Sequence, residues 1–229
     1  MKNIETLLSN IGVKFKDDKY LQIALTHRSY LNEHRSTDLE HNERMEFLGD
    51  AVLELVTTDF LYHNYNNPEG ELTNWRASLV NAKMLSEVSR DLGLEPFIRM
   101  SKGEAQDSNS KARSYILANA LEAFIGALYL DQGYEAARVF VTNHILNHLP
   151  FIIEHQLYKD PKSKFQEKAQ ELLGITPTYK VLEESGPDHA KFFKVGVYLK
   201  KELIAEGTGT SKQEAQVSAA ENGIGAKGW

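Results

Sequence analysis

The sequence predicts a chain in two parts. Residues 1–154 read as all-helical, 155–161 as a linker, and 162–229 as an α+β segment of order α-β-β-β-α. Three observations carry this. Before residue 154 apolar residues recur at spacings of three and four, as in Leu48, Val52 and Leu55, or Leu121, Phe124 and Leu128. That is the period of a helix with a buried face. Later the period drops to two, with Phe193, Val195, Val197 and Leu199 on one side, as in a half-buried strand. Between them lies Leu157-Tyr158-Lys159-Asp160-Pro161, short, polar and ending in proline.

In the helical part, His41–Leu53 places Glu43, Glu46 and Asp50 at i, i+3 and i+7, within about 60° of one another on a helix. Ile116–Leu128 is apolar nearly all round, so a buried helix is predicted, yet it carries Asn119 and Glu122 at i and i+3. A buried charge needs a counter-charge or a metal. Arg44 and Arg113 are the candidate counter-charges. Gly49 and Gly126 each cost a helix roughly 1 kcal/mol against Ala. Close approach of the two helices would explain them and would bring the polar stripes together. A ligand set of oxygens without cysteine points to a hard cation such as Mg²⁺. Three acids at this spacing equally fit a solvated face, so the pattern alone leaves both readings open.

In the second part, Ser163–Leu173 reads as a helix ended by Gly174. Thr178–Leu182, Lys191–Leu199 and Glu202–Glu206 read as strands, Gly207-Thr208-Gly209-Thr210 as a turn, and Ser211 as the N-cap of a last helix through Ala215–Ala220. Short connections favour an antiparallel sheet with both helices on one face. Ser163, Gln166 and Gln170 fall on one stripe, which fits an ordinary polar face as well as a binding one.

Charge divides with the texture. Residues 160–229 hold ten Lys and ten Asp+Glu, while 1–159 hold 16 basic and 22 acidic residues and so the whole net charge of −6. An acidic chain argues against a polyanionic partner only when taken as a whole. With no cysteine, disulfides, thiolate metal sites and cysteine nucleophiles are excluded, and a reducing, cytoplasmic setting is expected. No apolar run approaches the roughly 18 residues of a membrane span, so no membrane partner is expected.

Glu43-Arg44-Met45-Glu46-Phe47-Leu48-Gly49-Asp50-Ala51-Val52-Leu53 resembles the signature of bacterial ribonuclease III. Leu25–Tyr30, Gly70–Thr73 and Ala118–Asp131 reinforce the likeness. The α-β-β-β-α tail resembles the double-stranded RNA-binding domain that follows the nuclease domain in that family, so the resemblance spans essentially the whole chain. It implies an all-helical, homodimeric nuclease domain that uses Mg²⁺, with Mn²⁺ able to substitute. It implies hydrolysis of double-stranded RNA to 5′-phosphate ends with short 3′ overhangs, in processing of ribosomal and messenger RNA precursors. Glu46, Asp50 and Glu122 match catalytic metal ligands. Asn119 stands at the fourth ligand position, where the family usually has Asp. Glu43 and Glu69 match auxiliary acids of the catalytic valley. Phe47 matches a knob that inserts into the partner subunit, although by pattern alone it is equally a core residue. Ser163, Gln166 and Gln170 match minor-groove contacts, and His189, in Gly186-Pro187-Asp188-His189, matches a further one. Lys212 matches a phosphate contact, with Lys191 near it and Gln213 where Lys is often found. Asn119 motivates a rival reading, a duplex-RNA-binding protein with weakened or lost cleavage.

Overall fold

The computed structural model describes residues 4–34, 37–107, 110–187 and 191–229. The chain divides into two compact units, Met1–Tyr158 and Lys159–Trp229.

The first unit contains helices α1 (Ile4–Asn10), α2 (Asp18–Ala24), α3 (Arg28–Glu33), α4 (Glu43–Asn64), α5 (Glu69–Val80), α6 (Ala82–Asp91), α7 (Lys102–Gln106), α8 (Lys111–Gln132), α9 (Tyr134–His144) and α10 (Leu149–Glu154). The starts follow side-chain chemistry. Asp17, Asn81, Ser101 and Ser110 each accept a backbone N–H of the helix they precede, satisfying donors that have no carbonyl one turn back. At the centre lies α8. Every residue from Ile116 to Leu128 is buried except Asn119 and Glu122, which are half-buried. The helix is therefore apolar all round but for one polar window. α4 packs on it through Met45, Gly49, Val52, Leu53 and Val56. Leu55, expected in the core by its spacing, is exposed instead, because it sits on the face of α4 turned from α8. Among the described residues, no helix is long and apolar enough to cross a membrane.

The second unit runs α11 (Pro161–Leu173), β1 (Thr178–Ser185), β2 (Phe192–Leu199), β3 (Glu202–Gly209), α12 (Lys212–Lys227). The strands form one antiparallel sheet in the order β1-β2-β3. Phe193, Val195, Val197 and Leu199 are buried under Phe165 and Ala169 of α11 and Ala215, Ala219 and Ala220 of α12. Gly174 ends α11 in the left-handed conformation at φ 66°. The ladder between β1 and β2 shifts register between Val181 and Glu183, a β-bulge at Leu182.

The expected turn at Gly207–Thr210 is corrected by the structure: Gly207 to Gly209 continue β3. A Cβ on Gly207 would stand 2.0 Å from the backbone N of Ala219. This glycine admits the backbone of α12 onto the strand; it does not bend the chain. Ser211 caps α12 by accepting from the Glu214 N–H (3.1 Å), and the Glu214 carboxylate accepts from Thr210 N–H (2.9 Å).

Candidate functional site

The site begins with two missing side chains. A Cβ on Gly49 would lie 1.8 Å from the Glu122 carbonyl oxygen, and one on Gly126 would lie 2.4 Å from the Met45 carbonyl oxygen. α4 and α8 therefore meet backbone to backbone. Glu46 and Asp50 flank Gly49 in sequence, and Asn119 and Glu122 occupy the one polar window of α8. The contact sets the two pairs facing one another.

Electrostatics record the proximity. Burial, then the charges of Asp50 and Glu46, push the Glu122 carboxyl up to about 8. Burial also raises Glu46, as do Glu43 and Asp50, while the Asn119 side-chain amide favours its ionised form and partly opposes the rise. Among the described residues no ion pair joins Glu46, Asp50 or Glu122 to a cationic side chain. The expected pairing of Glu122 with Arg44 or Arg113 is not found: Arg44 is exposed on α4, and the buried Arg113 donates from Nε to Glu95 Oε1 at 2.9 Å and contacts Met100. Arg113 lies in the first turn of α8, about two and a half turns from Glu122, and ties α8 to the Glu95 turn. As they stand, no three His, Cys, Asp or Glu side chains among the described residues are gathered closely enough to hold an ion.

Glu43 lies at the rim, 3.6 Å from Arg28 and 3.7 Å from His41. Glu69 opens α5, where its Oε1 accepts from the Thr73 hydroxyl at 2.9 Å. No contact among the described residues joins it to the acids on α4 and α8. Phe47 is not a core residue. It is 80% exposed, and Tyr62 and Leu55, also on α4, are 74% and 57% exposed. The three lie within about 80° of one another around the helix, an apolar stripe open to solvent.

One polar cluster escapes sequence reading. Ser29 Oγ donates to Glu104, His27 Nδ1 lies 3.3 Å from the same carboxylate, and Ser101 Oγ lies 3.2 Å from it. Burial opposes ionisation of Glu104, but Ser29, His27 and Ser101 outweigh it and lower its pKa. The cluster ties the start of α3 to the start of α7. Its two halves, His27 with Ser29 and Ser101 with Glu104, are more than 70 residues apart, so no local pattern announces it.

In the second unit, Ser163, Gln166 and Gln170 are exposed on α11, opposite the buried Phe165 and Ala169. Ser163 also caps its own helix with Asp160, which accepts from its N–H at 3.0 Å. Lys212 opens α12 with its ammonium 5.5 Å from the Phe193 ring centroid and 3.4 Å from Glu184 Oε2. Lys191 Nζ lies 3.3 Å from the other oxygen of that carboxylate. Both lysines thus meet on Glu184, which sequence reading did not single out. His189 lies outside the described residues.

Comparison with known proteins gives the same division. Residues 17–149 match the family model described as Ribonuclease-III-like, and residues 161–224 match the double-stranded RNA binding motif. Ribonuclease 3 of Bdellovibrio bacteriovorus is 40% identical over 96% of this chain and 94% of its own. Ribonuclease 3 of Streptococcus uberis is 42% identical over 98% of this chain and 97% of its own. Among solved structures, the nuclease domain of ribonuclease III from Campylobacter jejuni, described for flexibility in a region involved in dimer formation, superposes with a TM-score of 0.57. It is 40% identical and covers 65% of this chain and 99% of that one. With helical and RNA-binding units each matched and the relatives aligned almost end to end, the chain belongs to the ribonuclease III family.

Proposed function

We infer that this chain is a double-strand-specific endoribonuclease that hydrolyses phosphodiester bonds in RNA with the help of Mg²⁺. The observation that carries the reading is the glycine contact that sets Glu46 and Asp50 against Asn119 and Glu122, in a chain whose relatives are named Ribonuclease 3. The donor set fits the ion. Three carboxylates and an amide oxygen are hard ligands, and Glu122, raised first by burial and then by the charges of Asp50 and Glu46, is a carboxyl whose ionised form a cation would stabilise. The helices are already in contact, so side-chain rotation is what would gather the ligands. Glu46, Asp50 and Glu122 would hold the ion with the carbonyl oxygen of Asn119, and Mn²⁺ offers the same preference for oxygen. A bound divalent ion supplies an activated water and relieves charge on the attacked phosphate and the leaving oxygen. Around it, Glu43 and Glu69 are proposed to shape the acidic valley.

The exposed stripe of Phe47, Leu55 and Tyr62 is proposed as the contact with a second copy of the chain. Two-fold pairing would present two sites to one duplex and so give paired cuts with a fixed stagger, leaving 5′ phosphates and short 3′ overhangs. A-form RNA is read through 2′-hydroxyls and phosphates. Ser163, Gln166, Gln170 and His189 are proposed for the first and Lys212 for the second. Precursors of ribosomal and messenger RNA in the cytoplasm are the proposed substrates.

The test is direct. A perfect RNA duplex incubated with the protein and Mg²⁺ is expected to yield fragments with 5′ phosphates and staggered 3′ ends, and EDTA is expected to abolish them. Binding without cleavage across a wide range of Mg²⁺ and Mn²⁺ would overturn the enzyme reading in favour of a binding protein silenced at Asn119. No comparison favours that alternative.

A further inference from the structure

We propose that Glu184 is a built-in competitor for RNA phosphate, muting Lys212 and Lys191 so that binding depends more on the features that distinguish RNA from DNA. The proposal rests on the reading of Lys212 as a phosphate contact.

Placement is the first argument. Directly paired residues of an antiparallel ladder share a face. Val181 pairs with Val195 and Glu184 with Phe193, and both Val195 and Phe193 are buried on the side covered by the helices. Val181 and Glu184 are three residues apart, so strict alternation would put them on opposite faces. The bulge at Leu182 absorbs the extra residue and turns Glu184 to the helix side, where α12 begins; re-aiming a side chain is a known use of such bulges. Phe193, opposite Glu184, is also the ring over which Lys212 sits.

Geometry is the second. Oε1 of Glu184 lies 3.3 Å from Lys191 Nζ and Oε2 lies 3.4 Å from Lys212 Nζ. One carboxylate thus gives each lysine an oxygen, as a bridging phosphate would. All three side chains are solvent-accessible, at 41% for Glu184, 57% for Lys212 and 37% for Lys191. Exposed pairs of this kind add little to stability, so the arrangement is poorly explained as a fold device. Its electrostatic result is that the carboxylate offsets part of the positive field that Lys212 and Lys191 present.

The consequence concerns selectivity. Phosphate contacts supply affinity and carry no base or sugar information. Weakening them raises the share of binding that comes from 2′-hydroxyl contacts in the minor groove, which only RNA offers.

The experiment uses the full chain in EDTA, so that RNA is bound and not cut. Anisotropy gives Kd for labelled RNA and DNA duplexes of the same sequence across salt. E184Q, which keeps shape and removes charge, is expected to tighten RNA binding about 2–5-fold at low salt and to steepen its salt dependence. DNA binding should tighten at least as much, lowering the RNA-to-DNA ratio. Thermal unfolding establishes that E184Q is folded. Unchanged or weaker RNA binding by folded E184Q overturns the competition, and a gain confined to RNA overturns the selectivity. The companion variant K212Q should bind more weakly and should shrink the gain from E184Q. If K212Q binds RNA like the parent, the phosphate assignment fails and the competition with it; weakening by K212Q with no gain from E184Q removes only the competition.

Discussion

Burial, with the charges of Asp50 and Glu46, alters the chemistry of Glu122. Its carboxyl titrates at about 8 instead of near 4.5, so between those values the metal-free folded protein holds a proton that the unfolded chain has released. Stability then falls as pH rises through this window and levels off above about 8. Glu122→Gln removes the effect. Solvent still screens a half-buried carboxylate, so we expect the variant to exceed the parent by on the order of 2 kcal/mol at pH 8 in EDTA. Urea unfolding at pH 8 and at pH 4, where the difference should vanish, checks this. The same proton must leave when a cation binds, so Mg²⁺ affinity should rise with pH up to about 8, and calorimetry in buffers of different ionisation enthalpy should detect its release at pH 7. Asn119 offers a neutral oxygen where an aspartate would add a charge. Asn119→Asp should therefore lower the Mg²⁺ concentration for half-maximal cleavage, and an unchanged titration would remove Asn119 from the ligand set.

Among the elements, α4 and α8 hold the site by touching. Gly126→Ala would drive a methyl group into the Met45 carbonyl. We expect a loss of about 1–3 kcal/mol in unfolding free energy and a larger fractional loss of Mg²⁺-dependent cleavage, because separating the helices separates the proposed ligands. Much of this was legible beforehand. A helix apolar on every side announces its own burial, and Asn119 and Glu122 stand out within it for that reason. The glycines were readable because two helix-weakening residues lay beside acids. Other features were not. Glycine in Gly207-Thr208-Gly209 has two physical meanings, a bend or a close approach, and local sequence does not separate them. The bulge at Leu182 leaves no mark in composition, so the facing of Glu184 could not be read. Arg113 was a plausible partner for Glu122 until the Glu95 turn, distant from both in sequence, claimed it.

For the molecule as a whole, net charge proved a poor guide to its partner. The helical unit, Met1–Tyr158, holds 15 basic and 22 acidic residues and so a net −7, and some of those acids face one another across α4 and α8. The second unit, Lys159–Trp229, holds 11 Lys and 10 Asp+Glu, a net +1, with lysines and acids interleaved, as in Lys194 with Glu206 at 2.5 Å and Lys227 with Glu202 at 3.6 Å. The apolar stripe on α4 carries a prediction at this scale. Phe47→Asp should shift the proposed dimer to monomer in sedimentation while leaving the helical circular dichroism unchanged, since Phe47 is not part of the core; a dimer that survives would place the interface elsewhere. The glycine contact has one more effect, on motion. Two packed helices librate about their point of closest approach, and displacement grows with lever arm. Glu46, Asp50 and Glu122 lie within about 6 Å of that point along their helices, whereas the far end of α4 is about 22 Å away. A swing of roughly 5° moves the first group by about half an ångström, near the tolerance of a working site, and the helix end by about 2 Å. The acids sit at the fulcrum, where any such swing displaces them least.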